Sequence, residues 1–404
     1  MSEVDDDVLL ARAYLSRVGE PASIPLWSFV DRVGPVAAAA AIRRGTVDAR
    51  VAEVTAARRA SVDPEADLVA AAARDITLVV PESDAWPHFA FTAFETVGRR
   101  RVADIEAKRV QANPTGEPVP PLALWARGQV PLADVGVRSV GMVGARASTA
   151  YGDHVTADLA FGLARAGVTV VSGGAHGIDA VAHRAALAAE GTTVLVSAGG
   201  LDRPYPPGNA DLFERVAATG LLVSESPPGC APFRSRFLTR NRLIAALSTG
   251  VVVVEAALRS GALNTARHCT DLGRPLMAVP GSVTSAMSGG CHWLLRKEEA
   301  GAILVSSVAE VLEIVGGMGE GLDRPPKPPT ADARDELDRL DATVRRVFEG
   351  LPARRFARPE DVAARSGVDV LQVIRALPEL DAAGLLEVAD GGYRIAQRLR
   401  RKPG

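Results

Sequence analysis

Between Ser226 and Val254 the chain contains no aspartate or glutamate, although overall it carries 48 acidic residues against 46 basic ones. The near-zero balance excludes a wholesale basic coat of the histone kind, so any site for a polyanion has to be local. Cysteine is also scarce. Cys230, Cys269 and Cys291 lack the paired short spacings of a zinc site and are odd in number, which implies no disulfide frame and fits a reducing cytoplasm. The start, MSEVDDDVLL, has no apolar signal core, and the longest apolar runs, such as Leu243 to Val254, are too short to span a bilayer. A cytoplasmic protein without membrane or metal is expected.

The acid-free stretch holds FRSRFLTRNR, with Arg234, Arg236, Arg240 and Arg242 beside Phe233 and Phe237. Guanidinium forks hold phosphates and aromatic faces stack on unpaired bases, so this composition suits single-stranded nucleic acid. The alternative is a solvated helix face with two core phenylalanines.

Up to about Arg74 the chain is alanine-rich with helical spacing, broken at Gly19-Glu20-Pro21 and Gly34-Pro35. A small N-terminal helical domain, of the SAM or helix-hairpin-helix kind, is expected over residues 1–74. From Asp75 short apolar runs read as strands, with Phe91 to Pro118 as an inserted helix and loop whose Arg99-Arg100-Arg101 string reads as a solvated surface rather than a binding site. From Val140 to about Val315 strands and helices alternate, which predicts an α/β domain, an extended Rossmann-like and mostly parallel sheet, over residues 75–318. Residues 319–334 form a proline-rich linker. In 335–404 three helices and a hairpin at Asp390-Gly391-Gly392 suggest a winged-helix-like domain with a basic tail. Arg375, Glu379 and Asp381 with Pro378 favour a structural or protein-contact role for its third helix over duplex readout.

Ligands enter open parallel sheets at strand ends, where this chain places glycine turns. Gly144-Ala145-Arg146-Ala147-Ser148 follows one strand; its amides, the Ser148 hydroxyl and Arg146 suit an anion. Gly173-Gly174-Ala175-His176-Gly177 follows the next, and Ser260-Gly261 with Glu255 offers a further nest. The dinucleotide fingerprint G-x-G-x-x-G is missing, as is the carboxylate expected after the second strand, which argues against NAD and leaves no cofactor implied. Asp179 in a first helical turn, and Asp202 and Tyr205 in GLDRPYPPGN, read as structural.

VGARASTAYG, SGGAHGIDAVAH, GLDRPYPPGN, SESPPG, FLTRNRLIAALS, VVEAALRSGALNTA, VPGS and SGGCHWLL occur in this order. The series resembles the DNA-processing DprA/Smf family over roughly Val140 to Gly301. The resemblance implies sequence-independent binding and protection of single-stranded DNA, loading of the RecA recombinase in natural transformation or recombination, and a homodimer through the Rossmann-like domain. Carried over by motif, the DNA site comprises Gly144, Arg146, Ser148, Gly173, Gly174, His176, Gly177, Phe237, Arg240, Asn241 and Arg242. Arg234 and Arg236 join it on local charge. Phe237 either stacks on a base or anchors the core. The enzyme alternative, a nucleoside monophosphate phosphoribohydrolase, uses P-G-G-x-G-T-x-x-E; aligned on Thr265, this chain has Asn264 for the glycine and His268 for the glutamate. No catalytic residue is therefore expected.

Overall fold

The computed structural model describes residues 4–111, 117–316, 340–389 and 391–397, in two compact units that meet in sequence near Gly321. In the first unit five short helices come first: α1 (Asp6–Val18), α2 (Ile24–Val33), α3 (Pro35–Arg44), α4 (Ala49–Thr55) and α5 (Pro64–Ala72). Asp5, Asp48 and Asp63 accept amide hydrogens in the first turns of α1, α4 and α5, satisfying donors that a helix start leaves free. Tyr14, Leu15, Leu26, Ile42 and Val51 form a core of their own. Ala13 and Ala71 instead share a core with Trp125, Leu195 and Leu222 of the sheet, so the helical layer and the sheet are continuous.

A nine-stranded sheet is built from β1 (Thr77–Val79), β2 (Leu124–Gly128), β3 (Ser139–Val143), β4 (Thr169–Ser172), β5 (Thr193–Ser197), β6 (Leu221–Ser224), β7 (Gly250–Val253), β8 (Leu276–Ala278) and β9 (Ile303–Leu304). The order is β1-β2-β6-β5-β4-β3-β7-β8-β9. The β1–β2 and β2–β6 pairs are antiparallel, and all other pairs are parallel. The chain lays β4, β5 and β6 to one side of β3 and then crosses back to place β7 on the other. That reversal opens a crevice at the carboxyl ends of β3 and its neighbours.

The helices after β1 are α6 (His88–Ala93), α7 (Arg99–Glu106), α8 (Ala150–Arg165), α9 (Ile178–Ala188), α10 (Ala210–Thr219), α11 (Arg234–Ala246), α12 (Ala262–Asp271), α13 (Gly289–Arg296) and α14 (Val308–Val315). On one face α8, α9 and α14 pack through Leu159, Leu163, Ile178 and Val311. On the other, α11, α12 and α13 pack through Leu243, Ile244, Ala266 and Leu294. The insertion at Phe91–Pro118 has an apolar side that its run of charges does not announce. Phe91 and Phe94 are fully buried in the same cluster, and Trp86 packs edge-on against Phe91 at 5.3 Å. The polar side of the segment meets solvent, where Arg99 pairs with Asp31 and Glu95.

The second unit holds α15 (Ala342–Gly350), α16 (Pro359–Ser366), α17 (Val370–Ala382) and the antiparallel hairpin β10 (Leu386–Ala389) and β11 (Gly392–Ile395). Val347, Val362, Val373, Leu380 and Leu385 are its core. Pro378 lies inside α17, and Leu371 and Ile374 are exposed along it. The expected linker, Asp390 of the hairpin turn and the basic tail after Gln397 lie outside the described residues.

Candidate nucleic-acid interface

Helix α11 is the crossover from β6 to β7, and it presents three differently employed sides. At about 100° per residue, Arg234, Phe237 and Asn241 fall within about 60° of one another, whereas Arg236 lies about 160° from Arg234 and Arg242 about 140° from Phe237. The first side lines a cavity of about 860 Å³ in the crevice beside β3, bounded by the β3 turn (Gly144 to Ala147), α11 and the turn after β7 (Ala257 to Thr265). This volume lies within the range of ligand sites.

Arg146, Arg234 and Arg259 are exposed cations of the lining. The Arg146 guanidinium lies over the Phe237 ring, 5.2 Å from its centroid, and the Tyr205 ring is tilted against Phe237 at 5.4 Å. Phe237 is half-buried, so it both anchors α11 and shows part of its face to the cavity. Asn241 donates to the Asn264 amide oxygen at 3.0 Å, tying α11 to α12.

Arg240 stands at the cavity floor and is almost fully buried. It donates to the carbonyl of Gly173 at 2.8 Å and to that of Val196, closing the carboxyl ends of β4 and β5 onto the helix. Burial pulls its pKa down to about 10; the Asp179 carboxylate opposes this and Arg146 adds to it. Asp179 itself is buried in the first turn of α9, with its pKa raised by burial despite Arg240, backbone hydrogen bonds at Ala175 and Gly173, and Arg146. Arg240, expected to hold a phosphate, is here a strut beneath the glycine turn.

Arg242 and Arg236 are corrections. Arg242 is fully buried, 2.5 Å from Glu225, with its guanidinium over the Phe94 ring at 5.3 Å. Burial raises the Glu225 carboxyl against the pull of Arg242. Arg236 forks onto Glu20 through two 2.8 Å hydrogen bonds. Neither lines the cavity. Local sequence misled here because the compensating carboxylates come from outside the acid-free helix, Glu20 from far away in the chain.

Among the glycine-turn residues, Gly144 lines the cavity, and a Cβ there would stand 2.9 Å from the Glu255 carbonyl. Gly177 has φ +73° and a Cβ there would collide with the Ala145 carbonyl, so only glycine brings the two turns together. Ser148 donates to Asp153 and is committed to the first turn of α8. Gly174 accepts from Asn209 at 3.0 Å and His176 lies beside Gly208; neither is among the lining residues, although Ala175 between them is. Glu255 is no nest: it accepts from the Thr149 amide at 2.9 Å and hydroxyl at 2.7 Å. Asp202 accepts from the Gly229 amide at 2.8 Å. Sequence reasoning missed Arg259 and Tyr205 as lining residues. Arg259 directly precedes the recognised Ser260-Gly261 turn, while Tyr205 was read only as structural within GLDRPYPPGN.

The architecture defines a Rossmann-like protein with an arginine- and aromatic-lined crevice at the reversal of strand order. The model of the family described as DNA recombination-mediator protein A matches residues 109–316, and the chain belongs to that family. It is 48% identical over 390 residues to a putative DNA processing protein DprA of Mycobacterium tuberculosis, covering 96% of this chain and 95% of that one. It is 40% identical over 266 residues to Protein Smf of Escherichia coli, covering 65% and 68% respectively. The X-ray structure of DNA processing protein A from Streptococcus pneumoniae is similar at a TM-score of 0.60 and 26% identity, over 78% of this chain and 100% of that one.

Proposed function

We propose that the crevice binds single-stranded DNA without sequence preference and that the protein protects this DNA and hands it to the RecA recombinase, in natural transformation or another recombination process. The observation that carries the reading is the cavity lining: Arg146, Arg234 and Arg259 around an open volume of about 860 Å³, with Phe237 and Tyr205 among them. Arginines neutralise successive phosphates, and exposed ring faces stack on bases only when these are unpaired. The amides of Asn241 and Asn264 are bonded to each other, so base-edge readout by them is not favoured, in keeping with sequence independence. The relatives named as DNA processing proteins support the same role. A homodimer through the Rossmann-like unit and a cytoplasmic setting complete the proposal; no described helix is long and apolar enough to cross a membrane.

We further propose a binding protein, not an enzyme. The carboxylate lining the cavity, Asp179, is buried against Arg240, and His268, aligned with the glutamate of the phosphoribohydrolase motif, is fully buried. The test is a salt titration of affinity for a labelled oligonucleotide, single-stranded and duplex in parallel. Arg146→Ala and Arg234→Ala should each weaken all sequences alike and flatten the log–log salt slope by about 0.7. Equal affinity for duplex, or unchanged slopes, overturns the reading.

A further inference from the structure

We propose that Glu20, in the N-terminal helical layer, is a positioning residue for the cavity, acting through Arg236. This inference rests on the reading of the cavity as a single-strand site. Glu20 lies in the α1–α2 connection, remote in sequence from α11. Its Oε2 and Oε1 accept from Arg236 Nε and Nη2 at 2.8 Å each, and Oε1 also accepts from Arg58. The Glu20 side chain is 48% exposed, whereas that of Arg236 is 8% exposed, so a solvent-facing carboxylate holds an almost buried guanidinium. Arg236 also donates to the Ala231 carbonyl at 2.9 Å, which fixes the guanidinium against its own loop. Burial alone would raise the Glu20 carboxyl, but its hydrogen bonds to Arg236 and Arg58 hold it below the usual range, so the pair stays ionised near neutral pH.

The same layer also grips the segment leading into α11. Arg17 pairs with Asp67 at 2.5 Å and donates to the Pro228 carbonyl at 2.5 Å. The chain therefore enters α11 between two anchors, Pro228 and Arg236. Arg234 and Phe237 flank Arg236 in the first turn and lie on its cavity side. A rotation of this turn that released Arg236 to solvent would carry both away from the crevice, because side chains on one helical turn move together. Preorganisation of this kind acts on affinity without adding a contact.

The sign of the effect separates positioning from simple charge. Removing a carboxylate near an arginine-lined crevice should by electrostatics alone strengthen binding of a polyanion. A positioning role requires the opposite. With a fluorescein-labelled oligo(dT), Glu20→Gln is expected to weaken binding about tenfold with an unchanged salt slope, since no phosphate contact is lost. Glu20→Gln combined with Arg236→Gln should be no weaker than the weaker single variant, because both remove one interaction. Unchanged or tighter binding by Glu20→Gln overturns the proposal, as does additive loss in the double variant. Should Glu20→Gln fold poorly, Arg236→Lys carries the test: it keeps the charge but loses the fork, about threefold weaker binding is expected, and parity with the parent overturns the idea. If the parent binds and Arg146→Ala weakens it while these variants do not, the clamp alone fails. If the parent does not bind at all, the single-strand reading fails and the clamp with it.

Discussion

Two arginine-rich helices of this protein have opposite fates. In α7, Arg99 pairs with Asp31 and Glu95 and Arg101 with Glu117, while the aromatic turn leading into the helix is buried against the sheet. In α11, Arg236 and Arg242 are paired and buried while Arg234 faces an open crevice and Arg240 closes its floor. Both helices are dense in arginine. What differs is how far carboxylates from elsewhere reach the guanidinium groups, and whether the helix stands at the point where the strand order reverses. A basic segment becomes a candidate site only on the side that the rest of the fold leaves uncompensated.

The comparison breaks most visibly at Arg242. Arg242→Ala strands the Glu225 carboxyl in the interior and should cost about 3 to 5 kcal/mol in urea unfolding; a loss under about 1 kcal/mol would mean that the pair is not a buried one in solution.

Next comes acid sensitivity at a buried histidine of α9 that lies within the field of Arg240. His183 is fully buried, 2.7 Å from the Thr193 hydroxyl, and burial, then Arg240 and Arg184, push its pKa down from 6.5 to about 3. A depressed folded-state value means that its contribution is present above pH 6.5 and is lost as pH falls toward 3. Roughly 4 kcal/mol should disappear across that window, and His183→Gln should flatten this limb of the stability profile. An unchanged acid limb in the variant would place the titrating group elsewhere.

On the open side of α11, Phe237→Ala should cost about 1 to 3 kcal/mol of single-strand affinity through lost stacking. Since the ring is half-buried, thermal unfolding must be followed in parallel: a stability loss larger than the binding loss assigns Phe237 to the core. The smallest effect belongs to α7. Arg99→Ala removes surface pairs and should change stability by less than about 1 kcal/mol without altering the salt slope. A DNA-binding defect there would erase the distinction between the two helices.

Much of the architecture was legible in the chain. The strands β3 to β8 are short apolar runs with turn residues nearby, and α16 opens on Pro359, a residue suited to the first turn of a helix. The two-residue β9 escaped notice because so short a strand has no periodicity of its own. The buried side of the insertion at Phe91–Pro118 was not legible because its charges are contiguous in sequence while its buried aromatics are spaced apart, and spacing shows burial only when the partner surface is known. Of the residues proposed for the site, Gly144, Arg146, Arg234, Phe237, Arg240 and Asn241 meet around the crevice. The others lie outside its lining, in turns, helix starts and ion pairs.

The sequence by itself determined the parallel sheet, the glycine turns at its strand ends and the presence of an arginine helix between β6 and β7, since these depend on local conformational preference and on which residues are apolar. Only the tertiary structure decided which arginines are available. Glu20, Asp179 and Glu225 approach α11 from three other parts of the chain, and electrostatic compensation acts through distance in space, of which distance along the chain is no measure.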